Sequence, residues 1–405
     1  MIVKLSWRNI WRNRRRTLIT AASILFAVLF SSFMEALQQG AWNNMISNVV
    51  NFYFGYGQIH QLNYWEERNI DLAFDYKPSF QSLESEIEEI QTMVPRLESF
   101  ALASTGENTM GVLVVGMAPE PENEMTALKS RIVDGKYLEA NDKAVIIASG
   151  VAERLDIHKG DTLLLISSGY HGTNAAGKYP VKGVVKFASP DLNKQMVYLP
   201  LAEAQWFYGA DGLVTSIALN IDQQKDIEPA LKQLKVALDT AAYEIMDWKE
   251  MMPDLLEAKA LDSAGNVVVY FILYMIIGFG ILGTILMMTK ERSYEFGVLL
   301  AVGMKRRLLA LTVWLEVVFL GMLGALAGVL FSMPVVYYFK LNPIQFSGEY
   351  AVTMEKFGFD PVFPAQFDLQ IFFNQALIIF VLTAILALYP IWKIYRIRPI
   401  AAMRS

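Results

Sequence analysis

The chain has 405 residues, of which 54% are hydrophobic and 19% are charged, and it contains no cysteine. A composition this apolar excludes an ordinary soluble globular protein of the same length and indicates a membrane protein. Because no disulfide can form, any large domain outside the cytosol must be stabilised by its hydrophobic core alone.

The N-terminal segment, residues 1–16, contains six basic side chains and no acidic one. Aromatic and basic residues alternate over Trp7–Arg16, which predicts a short interfacial helix whose arginines face lipid phosphates. The apolar run that follows is long enough to span a bilayer, and no clean small-residue cleavage site comes after it. We therefore expect an uncleaved membrane anchor and not a signal peptide.

Four segments are predicted to cross the membrane as helices, namely 17–38, 267–289, 308–339 and 371–392. A hydrocarbon core about 30 Å thick needs roughly 20 helical residues, and each segment meets that requirement. The third is longer than required, and Pro334 near its end predicts a kink or an exit from the membrane there.

The distribution of charge predicts the orientation of these spans. The segments 1–16, 290–307 and 393–405 together hold 15 basic and 2 acidic residues, whereas 39–266 holds 18 basic and 32 acidic ones. Basic segments remain on the cytosolic side. We therefore expect both termini and 290–307 in the cytosol, and residues 39–266 and the loop 340–370 outside it.

The long segment between the first and second spans changes to alternating, β-rich patterns with interspersed amphipathic helices. We expect its strand-rich part to begin after about residue 98. Strands are predicted at 143–148, 161–167, 179–187, 195–199 and 216–221, and helices at 82–93 and 226–238. The predicted fold class is an α-helical membrane protein with four transmembrane helices and a large α+β extracytoplasmic domain inserted between helices 1 and 2.

Motifs for enzyme chemistry do not occur in the sequence. It has no phosphate-binding loop of the form G-x-x-x-x-G-K-[ST], so we do not expect this chain to hydrolyse ATP by that route. The three histidines, His60, His158 and His171, are too scattered for a zinc motif, and no G-x-S-x-G nucleophile motif is present. The sequence predicts no enzyme, no metal or cofactor site, and no nucleic-acid partner.

The predicted spans contain two ionisable residues, Glu35 at the outer end of the first and Glu316 in the third. Glu316 lies about 12 Å into its span at 1.5 Å per residue, where a carboxylate is costly without a partner. We expect it to have a structural role, bonded to backbone or to a neighbouring polar group. Glycines at small-xxx-small spacing permit close helix contact. They are Gly321, Gly324 and Gly328 in the third span, and Gly278, Gly280 and Gly283 in the second.

Residues 290–307, between the second and third spans, form an apolar helical pattern bounded by charges. Phe296, Leu299, Leu300 and Gly303 recur at i, i+3, i+4 and i+7, which is one face of a helix. The run is too short to span, so we expect a helix along the cytosolic interface. This pattern alone leaves open whether the helix is an ordinary connector or a lever between the bilayer and a cytosolic partner.

Residues 280–328 resemble the signature region of FtsX/MacB-type ABC transporter permeases. In that superfamily an E-R-x-x-E-[FI]-G-x-x-x-A-x-G core precedes a glutamate in the third span and then spaced glycines. Tyr294 stands where the family usually has arginine. The terminal stretches LSWRNIWRNRRRTLIT and LYPIWKIYRIRPIAAMR are also similar to the family's signatures. The matching residues are Glu291, Arg292, Glu295, Phe296, Gly297, Ala301, Gly303, Glu316, Gly321, Gly324 and Gly328.

Residues 54–67 and 132–165 are similar to the outer domain of the lipoprotein-releasing, LolC/LolE-like permeases, which makes that branch the preferred interpretation. The resemblance implies a multi-pass protein of the bacterial inner membrane that works by mechanotransmission. Two permease chains, identical or paralogous, would pair with two copies of a separate ABC ATPase subunit that uses ATP and magnesium. That subunit would push on the cytosolic helix, here Glu291–Gly303, and the movement would reach the outer domain through the second span.

In Lol-like permeases the cargo is a lipoprotein handed to a periplasmic carrier, and its acyl chains lie between the first and second spans. Ordinary helix packing explains the corresponding residues of this chain equally well. They are Phe30, Phe33, Met34, Leu37, Val268, Phe271, Tyr274 and Met275. Two alternatives stay open, MacB-like export of peptides or amphiphilic small molecules and FtsX-like signalling to cell-wall hydrolases. MacB-like pumps carry a fused ATPase domain that this sequence does not contain, and the outer domain is larger than an FtsX-like regulator needs.

Overall fold

The computed structural model describes residues 2–12, 14–187, 190–221, 226–349, 351 and 362–398. The chain forms two compact units, which we call the helical unit and the sheet unit. The helical unit comprises Met1–Asn44, Ala258–Gln345 and Val362–Ser405, and the sheet unit comprises Met45–Glu257 and Phe346–Pro361.

The described helices and strands are as follows in chain order. The helices are α1 Ile2–Arg12, α2 Arg14–Val49, α3 Tyr64–Glu67, α4 Pro78–Glu86, α5 Pro119–Thr126, α6 Ser149–Leu155, α7 Pro190–Gln195, α8 Leu201–Tyr208, α9 Ile227–Ala237, α10 Trp248–Met251, α11 Pro253–Glu291, α12 Ser293–Ala301, α13 Arg306–Leu341, α14 Leu369–Leu386 and α15 Leu388–Arg396. The strands are β1 Gly57–Gln61, β2 Phe74–Asp75, β3 Ile90–Ser104, β4 Thr109–Met117, β5 Ile132–Gly135, β6 Val145–Ala148, β7 Thr162–Ser168, β8 Asn174–Val185, β9 Met196–Pro200, β10 Leu213–Val214, β11 Ser216–Ile221, β12 Tyr243–Asp247, β13 Ile344–Gln345 and β14 Val362–Phe363.

Four helical stretches are long and apolar enough to cross a membrane, and they contain the four predicted spans. They are Thr17–Phe54, Pro253–Glu291, Arg306–Leu341 and Leu369–Arg396. Two helices are much longer than the predicted spans, because α2 continues to Val49 and α11 already begins at Pro253. The segment before the apolar run of α11 is rich in Leu, Ala, Glu and Lys, which have high helix propensity. Hydropathy therefore locates the apolar run but not the ends of the helix.

Two prolines have different effects on the apolar helices. The fourth stretch is divided, with α14 ending at Leu386 and α15 beginning at Leu388. Pro390 has no N–H to bond the carbonyl of Leu386, and its ring crowds that carbonyl, which accounts for the break. Pro334 lies inside α13, and that helix continues to Leu341, so the helix does not end at the position where we predicted an exit.

The core of the helical unit is built around α13, which packs against α1, α14 and α15. Its buried side chains include Val313, Val317 and Leu320, and they belong to one cluster with Ile24 of α2 and Ile379 of α14. Helix α1 is therefore part of the bundle as well as a candidate for the interface.

The sheet unit is built on a ten-stranded mixed sheet in the order β12-β1-β11-β3-β4-β9-β6-β8-β5, with β7 paired to both β3 and β8. The pairs β4–β9 and β6–β8 are parallel, and the other pairs are antiparallel. Helices and loops cover the sheet and create two large hydrophobic clusters, one around β6 and β9 and one around β1 and α9. The predicted α+β class of this part is confirmed.

Two predictions for the beginning of the sheet unit are wrong. The helix predicted at 82–93 ends at Glu86, and Ile90–Ser104 is the long central strand β3. The strands also begin at Gly57 and not after residue 98. The pairing of β3 with β11 and β4 decides the structure here, because strand preference depends on the neighbouring strands more than on the local sequence.

A buried arginine fixes the start of the sheet unit. Arg96 of β3 is fully buried, and its Nη1 donates to the carbonyl oxygen of Tyr53 at 2.6 Å. Tyr53 lies in the π-helical turn Val50–Phe54 that follows α2. The other guanidinium nitrogens, Nε and Nη2, donate to both carboxylate oxygens of Glu122 at 2.8 and 2.7 Å. A carbonyl at a helix end, which would otherwise lack a partner, is thereby bonded to the sheet.

Candidate functional site

The predicted coupling segment is not one continuous helix. Glu291 is the last residue of α11, Arg292 lies between the helices, and α12 covers Ser293–Ala301. Gly303 follows in the left-handed region at φ 102°. Its N–H donates to Leu300 O, and the next N–H, that of Met304, donates to Leu299 O. This is a Schellman motif, so Gly303 ends the helix instead of extending its apolar face.

The faces of α12 also differ from the predicted stripe. Phe296 is 1% exposed and packs in the core of the helical unit, and Gly297 is buried too. Leu299 is exposed, so it does not share the buried environment of Phe296. With Tyr294 and Val302 it forms an apolar surface on and just after the short helix. Large apolar residues that remain exposed indicate a contact surface. The sequence shows that these residues are apolar, but it does not show which of them face outward.

Arg292 is the central group of an ion network at this helix. It is 5% exposed, and its Nη1 lies 2.6 Å from both carboxylate oxygens of the fully buried Glu316 of α13. Its Nε donates to Glu295 Oε2 at 3.2 Å, and Arg12 of α1 pairs with the same Glu295 oxygen. The partner of the intramembrane carboxylate is thus a side chain of the connector. The sequence contained both residues but did not show that they meet.

The electrostatics of Glu295 follow from this arrangement. Partial burial alone would raise the pKa of its carboxyl, but hydrogen bonds from Arg12 and Arg292 outweigh that effect and hold the pKa below its usual value. Glu295 is therefore ionised at neutral pH, and it links α1 to Arg292 and so to α13.

Helix α1 has a second connection to the bundle. Ser6 Oγ donates to Thr312 O of α13 at 3.0 Å, and the ring of Trp7 lies edge-on to Phe319 at 6.0 Å between centroids. Ile10 is fully buried, while Trp7 and Trp11 are 41% and 46% exposed. The N-terminal helix thus packs against α13 and leaves parts of both indole rings accessible.

The glycines of α13 lie where neighbouring helices come closest. A Cβ at Gly324 would be 2.6 Å from Ile24 Cβ, and one at Gly328 would be 2.6 Å from Val28 Cβ, both on α2. At Gly321 it would be 2.9 Å from Thr383 Cγ2 of α14. These approaches require glycine and agree with the small-xxx-small pattern.

The glycines of α11 show no such contact among the described residues. A Cβ at Gly278 would lie 3.7 Å from Leu382, and at Gly280 and Gly283 no atom lies within 4 Å. Close helix contact through these positions is therefore not made within the described part of this chain.

The residues predicted to contact acyl chains fall into two groups. Phe33 and Leu37 of α2 pack against a small core cluster that includes Val336 and Phe372, and Tyr274 of α11 donates a hydrogen bond to Gln375 Oε1 at 2.6 Å. The other five have exposed side chains. They are Phe30, Met34, Val268, Phe271 and Met275.

A cavity of about 530 Å³ lies between α2, α11 and α14 in the helical unit. Phe271 and Tyr274 line it, but the other predicted acyl-chain residues do not. Much of the remaining lining is polar and includes Glu35, Gln39 and Gln375. Of this polar set, only Glu35 was expected from the sequence, at the outer end of the first span. The feature of the sequence that could have indicated these residues is the presence of amide side chains within or beside otherwise apolar segments.

Comparison with known proteins identifies the family. Residues 17–237 match the family model described as MacB-like periplasmic core domain, and residues 267–399 match the FtsX-like permease C-terminal model. The two models together cover both units of the chain, and the first alone covers more than half of it.

Individual relatives are distant. The chain is 18% identical over 319 residues to the lipoprotein-releasing system transmembrane protein LolC of Xylella fastidiosa, covering 76% of each chain. It is 20% identical over 247 residues to the LolC protein of Neisseria meningitidis, covering 59% of this chain and 60% of the relative. Among solved structures it is similar to the periplasmic region of MacB from Actinobacillus actinomycetemcomitans, with 14% identity, a TM-score of 0.37, and coverage of 53% of this chain and 97% of that one. On the strength of the two family models, the chain belongs to the FtsX/MacB family of ABC transporter permeases.

Proposed function

We propose that this chain is the permease subunit of a transporter that releases lipoproteins from the outer leaflet of the bacterial inner membrane. The energy comes from ATP hydrolysed, with magnesium, in a separate ATPase subunit, and the mechanism is mechanotransmission. Membership of the ABC permease family implies an ABC ATPase and a paired permease as partners. The similarity to LolC proteins supports lipoproteins as the cargo.

The observation that supports mechanotransmission is an ion network. It consists of Arg12, Glu295, Arg292 and Glu316. A push on α12 reaches α13 through the buried Arg292–Glu316 pair and reaches α1 through Glu295. Charge-assisted hydrogen bonds are short and resist separation, especially away from water. The network therefore makes α12 move with the bundle instead of bending away from it.

The contact surface for the ATPase subunit is the exposed side of the connector. Tyr294, Leu299 and Val302 present apolar area, and Ala301 and the charged Glu291 lie beside them. A compact apolar surface with a polar rim is the usual composition of a protein interface. In this proposal both termini and the connector lie in the cytosol, as the excess of basic residues predicts.

The surface that contacts the cargo is the exposed apolar surface of α2 and α11. Phe30 and Met34 on the first helix, and Val268, Phe271 and Met275 on the second, are available to acyl chains or to a second permease chain. A large apolar surface that the described residues leave exposed indicates lipid or protein contact. Released cargo would pass to a periplasmic carrier.

Copurification tests this function directly. The complex is purified with its ATPase subunit in mild detergent, and bound molecules are identified by mass spectrometry. We expect acylated lipoproteins in the wild type, and fewer of them when Phe271 is replaced by Glu. Correct sorting of lipoproteins in depleted cells, together with increased sensitivity to drugs, would refute lipoprotein release. It would favour MacB-like export, which the match to the MacB-like periplasmic core domain makes the second candidate.

A further inference from the structure

Helix α1 carries a row of three basic side chains along one face. Lys4, Arg8 and Arg12 follow one another at intervals of four residues, so they are neighbours on the helix surface. Arg12 pairs with Glu295. Lys4 and Arg8 are exposed, and neither forms a hydrogen bond or an ion pair with any residue that the structure describes. Because like charges at this spacing repel each other, an anion beside Lys4 and Arg8 would stabilise the row.

Two tryptophans border this row. Trp7 and Trp11 are also four residues apart, and their ring centroids lie 6.3 Å from each other in an edge-on arrangement. Each follows a basic residue of the row by three positions, so the rings and the cations are adjacent on the helix surface. Both rings are partly exposed. Indole rings beside cations are typical of the interface between lipid head groups and acyl chains, where tryptophan is enriched.

The position of α1 along α13 agrees with such an interface. Glu316 lies 25 residues before Leu341, the end of α13, which is about 38 Å at 1.5 Å per residue. A bilayer core is about 30 Å thick, so the ion network at Glu316 lies near one edge of the part of this helix that spans it. The ring of Trp7 lies against Phe319, about one turn further along α13. This arrangement brings the ring to the depth of the lipid head groups and the first acyl carbons.

The carboxylates at this end of the helical unit already have partners. The three basic segments of the sequence hold two acidic residues, Glu291 and Glu295. Glu295 is bonded by Arg12 and Arg292, and Glu291 also has an interaction within the chain. Glu316 of α13 is bonded by Arg292, and α1 itself contains no acidic residue. The anion that the row favours is therefore not supplied by the described part of this chain.

We propose that α1 binds an anionic phospholipid of the bilayer, with Lys4 and Arg8 at its phosphate and the two tryptophans at the adjoining glycerol and acyl carbons. The ligand class is a diacyl phospholipid with a net negative head group, such as phosphatidylglycerol. The guanidinium of Arg8 donates two parallel hydrogen bonds to phosphate oxygens, and Lys4 adds a compact positive charge. A zwitterionic lipid is disfavoured, because its own ammonium group would lie beside the same two cations. The sequence assigned the arginines of this segment to lipid phosphates as a group, whereas Arg12 is engaged by Glu295 and only the rest of the row is available.

Lipid titration of the full chain, followed by native mass spectrometry, measures this binding. The chain is kept in mild detergent, and phosphatidylglycerol and phosphatidylcholine with the same acyl chains are added in equal amounts. We expect at least one phosphatidylglycerol per chain to be retained in preference to phosphatidylcholine. The double variant Lys4→Gln/Arg8→Gln should bind it about 25-fold more weakly, because each basic side chain near an anionic surface contributes about a fivefold factor. Phosphatidylglycerol should also raise the unfolding temperature of the wild type more than that of the double variant.

Two further variants separate this site from the effect of net charge. Arg14→Gln/Arg15→Gln is the matched control, because it removes two exposed cations from the start of α2, outside the row, and should leave binding nearly unchanged. Lys4→Arg/Arg8→Lys exchanges the two cations, keeps their charge and should retain most of the affinity. All variants should unfold close to the wild-type temperature in detergent without phosphatidylglycerol, since substitutions of exposed side chains cost little stability.

Three results would overturn this lipid site. The first is equal retention of phosphatidylglycerol and phosphatidylcholine by the wild type. The second is a loss of binding in the double variant at Lys4 and Arg8 that is no larger than in the control at Arg14 and Arg15, because net charge would then explain the attraction. The third is displacement of the lipid by millimolar inorganic phosphate, which would identify a soluble anion as the occupant. None of these results depends on the cargo, so the proposed lipoprotein function stands or fails separately.

Discussion

The two units of this protein each bury an arginine against a glutamate, but they hold it in different ways. In the sheet unit, Arg96 makes a two-pronged contact with Glu122 and a third bond to the carbonyl of Tyr53, whose ring lies 4.7 Å from the guanidinium carbon. In the helical unit, Arg292 directs one nitrogen at both oxygens of Glu316 and another at Glu295, which is 44% exposed.

The difference concerns what each arginine connects. Glu122 and Tyr53, the partners of Arg96, are both buried within one compact unit, so the group fixes a junction that has one stable arrangement. Arg292 connects a buried carboxylate to a half-exposed one, and Arg12 reaches that second carboxylate from another helix. The first site is suited to stability, and the second is suited to passing a displacement between helices. Substitutions at the two sites should therefore have different effects on stability and on coupling.

The largest effect is expected for Arg96→Met. Removing one partner of a buried ion pair leaves Glu122 unpaired and frees the Tyr53 carbonyl, which should cost about 3–5 kcal/mol. Thermal unfolding and protease sensitivity of the sheet unit measure the loss. The matched control is Lys159→Gln, which breaks the exposed pair with Asp134 and should cost less than about 1 kcal/mol. A change of similar size in both variants would contradict the structural role of Arg96.

For Glu316→Gln we expect a smaller loss of stability than for Arg96→Met. We expect a larger loss of the coupling between cargo and ATP hydrolysis. Arg292 keeps Glu295 as a partner, so the cost should be about 2 kcal/mol, below the range for a completely broken pair. Cargo-stimulated ATP hydrolysis of the assembled complex should fall at least about tenfold, while the sheet unit keeps its resistance to protease. Full stimulation in this variant would show that the push on α12 travels by another route.

Helix contact is tested at the glycines of α13. Gly324→Val places atoms against Ile24 at a distance that no side chain tolerates, so α2 and α13 must separate, at a cost of about 1–3 kcal/mol. Gly280→Val on α11, where a Cβ would have no atom of a neighbouring described element within 4 Å, is the matched control. Comparable thermal stability of the isolated chain in detergent for both variants would contradict the packing described for α13.

The sequence predicted the apolar helices well because apolar runs of about 20 residues have one explanation in a membrane protein. It also predicted five strands of the main sheet, β6 to β9 and β11, since alternation identifies them. It failed at β3, where pairing with distant strands outweighs local preference. It placed Leu299 and Gly303 on one helical face with Phe296, because a periodic pattern does not show that a glycine in the left-handed region ends the helix.

The sequence predicted which residues belong to the candidate site, but it did not predict which side chains contact one another. Glu316 was expected to have a partner, yet nothing in the sequence indicates Arg292, 24 residues earlier, over any other polar group. The polar cavity around Glu35 depends on three helices meeting, and no local pattern contains that information. Long-range contacts of this kind follow from the packed bundle and not from periodicity.

The smallest effect is expected for Glu295→Gln, since exposed ion pairs contribute below about 1 kcal/mol. Arg12→Gln should have the same or a smaller effect, because it breaks only one of the two pairs that Glu295 makes, and the double variant should be little worse than Glu295→Gln alone. The pKa of Glu295 is lowered in the folded chain, so its contribution is complete above the usual carboxyl value and is lost as the pH falls through and below about 4. Stability of the wild type and of Glu295→Gln should therefore differ at pH 7 and converge under acid conditions. A difference that grows on acidification would show that Glu295 is not held ionised by the two arginines.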